Sequence, residues 1–294
     1  MARYRDNGGL IGAFNTTTAS SANGIWHISN HYINVIRTAW PVYYGPGAVK
    51  ATGGTTTSVS GVGVFHTFIT GGPFVPLINI TGAQILLVGG GASGANNNFP
   101  GTGGAGGGVV LATGQSFNNG TTYTINIGQG GAAPTTLNTN GGSGSDTSVS
   151  GTAFTTQTAT RGQMSGVFQS SAGSGGFTST NGQGGAGAGA NGGAVNGGIG
   201  SSIGSTITTY IAGALGTVYG ELSSGTYYYS GGGGSGNNGV GGLGFGGHGT
   251  SGAGVITGST TGAANSGGGG GGGSNTSTGG AKAGGSGLVI IFYA

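Results

Sequence analysis

Short apolar runs separated by long intervals of small residues set the pattern of this chain. Residues 63–69 (Gly-Val-Phe-His-Thr-Phe-Ile), 83–88 (Ala-Gln-Ile-Leu-Leu-Val), 108–112, 122–127 and 287–293 (Gly-Leu-Val-Ile-Ile-Phe-Tyr) are rich in β-branched and aromatic residues and bounded by Gly, Asn or Ser, so they predict strands. Residues 122–127 alternate apolar with polar, which buries one face. Residues 288–293 are apolar throughout, so that strand is expected at the centre of its sheet, and it follows all the glycine-dense stretches. One stretch has helical spacing instead: Tyr32, Ile33, Ile36 and Trp40 share a face after a Ser29 cap, and Pro41 ends it. A helix of three turns does not stand alone in water and must dock on something.

Glycine changes the picture. Of 80 Gly in 294 residues, 10 fall in residues 1–70 and 70 in residues 71–294, so a first segment, 1–62, is separated from a glycine-rich β domain, 63–294. Residues 101–108 hold six Gly in eight, 182–200 hold 10 in 19 and 231–287 hold 28 in 57. Flexible linker is one reading of such composition. A 57-residue linker before a single closing strand would carry a large closure cost, which favours order. Extended left-handed helices of the polyproline II type make no internal hydrogen bonds, so their backbone groups are free to bond laterally, and Gly lets backbones approach. The expected fold is therefore mainly β: a β-sandwich with glycine-rich insertions packed as polyglycine II helices and one short N-terminal helix.

Charge and cysteine narrow the chemistry. Three carboxylates, six Lys or Arg and no Cys leave a net charge of +3. The cations are scattered singly, unlike a nucleic-acid footprint, so no nucleic-acid partner is expected. No apolar segment follows the charged residues 1–6, and residues 288–294 fall far short of a membrane span, which predicts neither classical export nor membrane insertion. The G-x-G-x-x-G at 89–94 follows a strand, but Ala-Asn-Asn-Asn-Phe-Pro cannot open the helix that a dinucleotide site needs. The G-x-S-x-G at 200–204 lacks an apolar strand before it. Asp6, Asp146 and Glu221 lie in three different contexts, against a carboxylate pair for glycoside hydrolysis. His27 and His31 are four apart, yet a cap at Ser29 leaves His27 outside the helix. His66 and His248 are expected to fill space or bond to backbone. No catalytic residue, metal site or cofactor is predicted.

Aromatic residues carry more. Tyr227, Tyr228, Tyr229, Phe245 and His248 lie in or just after a glycine-poor island, residues 201–230. Three successive Tyr in a strand put two rings on one face and one on the other. Core packing is one role for this set; recognition is the other, with Tyr228, Phe245 and His248 as its residues. Trp26, Tyr32, Ile36 and Trp40 are the corresponding candidates for attachment to another subunit.

Five blocks in order, Ile85-Leu-Leu-Val-Gly-Gly-Gly91, Gly103-Gly-Ala-Gly-Gly-Gly-Val-Val110, Tyr123-Thr-Ile-Asn-Ile-Gly-Gln-Gly-Gly131, Tyr228-Tyr-Ser-Gly-Gly-Gly-Gly234 and Gly284-Gly-Ser-Gly-Leu-Val-Ile-Ile-Phe-Tyr293, resemble the glycine-rich domain of tail-fibre and other virion proteins of bacteriophages, particularly marine and cyanobacterial ones. Upstream, Gly9-Leu-Ile-Gly12, Asn15-Thr-Thr-Thr18, Ser21-Ala-Asn-Gly-Ile-Trp26 and Trp40-Pro41 resemble the short leader before such domains, with His27 where a Ser is usual. The resemblance implies a non-enzymatic virion component whose partners are other virion proteins and a host-surface glycan or protein. Closed homo-oligomers are usual for fibres and spikes, so a trimer is the first expectation. A capsid or tail decoration protein is the alternative within this class. A glycine-rich filament or ice-binding protein lies outside it; the Thr runs at 55–57 and 206–209 do not make the regular array that ice binding needs.

Overall fold

The computed structural model describes residues 47–97, 101–164, 169–171, 178–180, 187–189, 191, 196–202, 221–224, 226–236, 238–249, 259–274 and 280–294. The expected helix, with Trp26, Tyr32, Ile36 and Trp40, lies outside them. Among the described residues the protein is mainly β, with no helix.

In chain order the strands are β1 (Ala51–Thr52), β2 (Thr55–Val59), β3 (Gly63–Phe68), β4 (Gly72–Pro76), β5 (Ile80–Val88), β6 (Asn96–Asn97), β7 (Val109–Phe117), β8 (Tyr123–Asn126) and β9 (Thr147–Gly151). They continue as β10 (Phe154–Ala159), β11 (Gln163–Met164), β12 (Gln169–Ser171), β13 (Thr178–Thr180), β14 (Ser201–Ser202), β15 (Glu221–Ser223), β16 (Thr226–Tyr229), β17 (Gly273–Ser274) and β18 (Leu288–Tyr293). One five-stranded antiparallel sheet runs β2-β3-β18-β5-β7 and another runs β1-β4-β8-β9-β10. The compact unit that holds both begins at Pro46, so β1 and β2, which precede residue 63, pair within it.

The last strand is central, as its continuous apolar run predicts. Val289, Ile291 and Tyr293 face a core shared with Phe74, Tyr123, Ile125 and Val149 of the second sheet. Leu288, Ile290 and Phe292 face the opposite way and join Phe65, Leu86, Val88 and Tyr229. In β8, Tyr123 and Ile125 are buried while Thr124 and Asn126 are exposed, the predicted alternation. Phe74, Phe117, Tyr123 and Phe154 tie the shared core together, with Phe117 4.9 Å from Phe74 and 4.8 Å from Tyr123, centroid to centroid.

Glycine runs leave the strands directly and pair with one another chiefly through backbone, with a few Ser hydroxyls joining in. In 89–96, which continues β5, the donors rotate among three neighbours. Gly89, Ala92 and Ala95 donate to Gly108, Ala105 and Thr102; Gly90, Ser93 and Asn96 donate to Ser145, Gly142 and Thr139; Gly91 and Gly94 donate to Gly285 and Lys282. The same period of three recurs elsewhere. Gly101, Gly104 and Gly107 donate to Gly273, Gly270 and Gly267, while Gly269 and Gly272 donate to Gly231 and Gly234. The approach is too close for side chains: a Cβ on Gly269 would lie 2.5 Å from the Gly104 carbonyl carbon and nearer still to its oxygen.

Candidate functional site

The aromatic island forms a small antiparallel sheet, β14-β16-β15. Tyr229 is buried, and half-buried Tyr227 packs against the same cluster as Tyr229. Tyr228 therefore points to the opposite face, where its register partners are Ser202 on one side and Glu221 on the other. Directly opposed residues of antiparallel strands carry their side chains on one face. A row of Ser202, Tyr228 and Glu221 thus crosses three strands, with Ser202 exposed and the other two half-buried.

Glu221 extends the row to the glycine run beside it. Its Oε2 accepts from the backbone N–H groups of Gly244 at 2.8 Å and Phe245 at 2.9 Å. Both residues have positive φ, +98° and +63°, so the carboxylate holds a turn that a side chain such as Phe rarely adopts. Phe245 is half-buried beside it. Three residues on, His248 is exposed, its Nδ1 accepts from Gly241 N–H at 3.2 Å, and its own N–H donates to Thr260 Oγ1 at 2.7 Å. The structure thus links Tyr228 and Phe245 through Glu221 and leaves His248 further along the same run. The sequence shows Glu221 only as an acid without a carboxylate partner, because a lone acid in a Ser- and Tyr-rich stretch has no spacing to announce a binding role. Its being one of only three carboxylates in the chain is the one available signal.

A second polar cluster is buried at the base of the first sheet. His66, wholly buried, places Nδ1 2.7 Å from the Gly53 carbonyl and Nε2 2.8 Å from the Tyr293 hydroxyl. A carbonyl only accepts, so Nδ1 carries the proton and Nε2 accepts from Tyr293. The Tyr293 oxygen in turn accepts from Lys50 N–H at 2.9 Å. Burial lowers the His66 pKa, against the smaller opposing effect of the bond to Gly53, so the ring is held neutral. Burial pushes Tyr293 up to about 12. This is the backbone-bonding role expected of a strand histidine.

The two motif matches also find their places. Every N–H from Gly89 to Gly94 donates to a carbonyl of a neighbouring run, which leaves none to cradle a phosphate. Ser201 and Ser202 pair as β14 with Tyr229 and Tyr228, and Ser202 serves as an edge of the aromatic sheet. Asp146 and Arg161 meet on the surface, Oδ1 accepting from Arg161 N–H at 2.9 Å.

Residues 75–294 match the family model described as a glycine-rich domain, and the chain belongs to that family. No curated protein matches it.

Proposed function

We propose that this chain is a non-enzymatic structural protein of a bacteriophage virion, a tail-fibre, spike or adhesin component that attaches to the particle through its first 50 residues and contacts the host surface through Tyr228, Phe245 and His248. The observation that carries the reading is the body built from glycine runs. The period of three among their donors supports polyglycine II helices, and the core shared by the two five-stranded sheets supports a β-sandwich from which those helices extend. Such a body commits the chain to a stiff, nearly uncharged shape, a property of use in an appendage. The five blocks that resemble phage virion proteins support the same class. Residues 1–50, with Trp26, Tyr32, Ile36 and Trp40, serve as the attachment segment in this reading, and the assembly is a homo-oligomer, a trimer in the first instance.

Mass spectrometry of purified particles tests the reading: the chain is expected among the virion proteins, and a form lacking residues 1–50 is expected to be soluble but absent from particles. Incorporation of the truncated form at normal copy number refutes the attachment role. Unchanged adsorption after Tyr228→Ala and His248→Ala together turns the assignment to a decoration protein without receptor contact.

A further inference from the structure

We infer that Ser202, Tyr228, Glu221 and Phe245 form a binding site for a neutral sugar residue, a site that deepens the host-contact reading above and rests on it. Glu221 anchors the site. Among the described residues both of its hydrogen bonds fall on Oε2, and Oε1 is the oxygen offered to a ligand's donors. With Oε2 pinned by two backbone donors, the carboxylate is fixed before any ligand arrives, which removes the ordering cost that a long side chain otherwise adds to binding. Directly across the register stands Tyr228, half-buried, with its ring on the same face, and beyond it the exposed hydroxyl of Ser202. Thr226 and Ser223 are opposed in the same sheet and share that face by alternation, which adds two more hydroxyl groups. Phe245, half-buried, is tied to the carboxylate through its backbone N–H.

The chemistry of the row selects its occupant. A divalent cation takes six or more oxygens, and one carboxylate oxygen among hydroxyls does not supply them. An apolar protein partner wants a contiguous apolar patch, whereas the Tyr228 ring shares its face with Ser202, Glu221, Thr226 and Ser223. A pyranose presents what the row can match: a C–H face for the Tyr228 or Phe245 ring, and hydroxyls that donate to Glu221 Oε1 and exchange hydrogen bonds with Ser202. An acid that only accepts disfavours anionic sugars, which makes the preferred ligand a neutral one.

The full chain is applied to an array of neutral gluco-, galacto-, manno- and rhamno-oligosaccharides, alongside Tyr228→Ala and Glu221→Gln. Glu221→Gln keeps one carbonyl oxygen for the Gly244 and Phe245 donors, so the turn persists while the charge is lost. Binding to at least one series is expected, weakened about tenfold or more in each variant with the melting temperature nearly unchanged. Absence of binding to every series, or equal binding by wild type and Glu221→Gln, overturns the inference. Displacement of a bound partner by salt but not by free sugar also overturns it, in favour of a basic protein ligand. A chain found in particles that binds no oligosaccharide sinks this site and leaves the virion reading standing; one that binds sugar but is absent from particles does the reverse.

Discussion

Acidification is expected to destabilise the fold through His66. The ring is buried and neutral, with Nδ1–H donating to Gly53 and Nε2 accepting from Tyr293. Its folded pKa is lowered by burial, whereas in the unfolded chain it returns to about 6.5. The unfolded state therefore binds a proton first. Stability is at its full value above pH 6.5 and falls as pH drops from there toward the lowered folded value. One proton sets a ceiling of about 1.4 kcal/mol per pH unit, or about 2 kcal/mol between pH 6.5 and pH 5. For a domain of this size that is a fall of about 4 to 8 °C in melting temperature. Tyr293, pushed up to about 12, stays a neutral donor throughout. Urea denaturation at half-unit steps from pH 8 to pH 5 measures the slope, and His66→Gln removes the titrating group while keeping a donor and an acceptor. A flat profile for wild type, or the same slope in His66→Gln, refutes the reasoning.

Three further outcomes follow from packing. Gly269→Ala is expected to destabilise by well over the roughly 1 kcal/mol of an average substitution, because its Cβ meets the backbone of Gly104, while Gly72→Ala, whose Cβ meets nothing within 4 Å, is expected to be neutral or slightly stabilising; chemical denaturation of both checks this. Tyr229→Ala is expected to cost about 2 to 4 kcal/mol and Tyr228→Ala less than about 1, since only the first ring is fully buried, and thermal melts of the pair decide it. Ser230→Ala is expected to cost about 1 to 3 kcal/mol, read by the same melts, because its one buried hydroxyl proton is shared between the Gly107 and Gly267 carbonyls and nothing replaces it.

What was legible in the sequence followed side-chain pattern. β3, β5, β7, β8 and β18 carry dense apolar runs, and each was readable, although β5 starts three residues earlier, at Ile80, and β7 extends five further, to Phe117. The extensions hide because Gly82 and Gly114, both with positive φ, interrupt the alternation. β9 and β10 are mostly Ser and Thr, each contributing only one or two buried residues, such as Val149 and Ala159, so pattern alone gave no warning of them. The half of the site on β16 was visible as three successive Tyr. Its other half was not, since the pairing of Glu221 with Tyr228 depends on register, and the Glu221 bond to the 244–245 turn depends on tertiary approach.

The composition itself has a structural reason at the point where strands give way to glycine. β5 and β9 belong to different sheets, yet their continuations are bonded to each other, Gly90 to Ser145 and Ser93 to Gly142. A strand offers its hydrogen bonds only within the plane of its sheet, and packed sheets stand about 10 Å apart because side chains fill the gap. In 89–96 successive N–H groups turn to three different neighbours with a period of three, so the segment bonds on several sides once the side chains are gone. Val88, wholly buried, is followed by Gly89, and there the two sheets come into direct backbone contact. The exceptions obey the same geometry. Ala92 and Ala95 are three apart, as are Thr102 and Ala105, and these four pair across one seam, 92 with 105 and 95 with 102. Along that seam every Cβ belongs to a small residue, and the other seams likewise admit buried Ser at 93, 230 and 235. Large and charged side chains find little room in such a lattice, because most interior positions are Gly, Ala or Ser with backbone close to backbone, and half-buried Lys282 joins it through its main chain; a chain that folds this way is rich in glycine and poor in charge together.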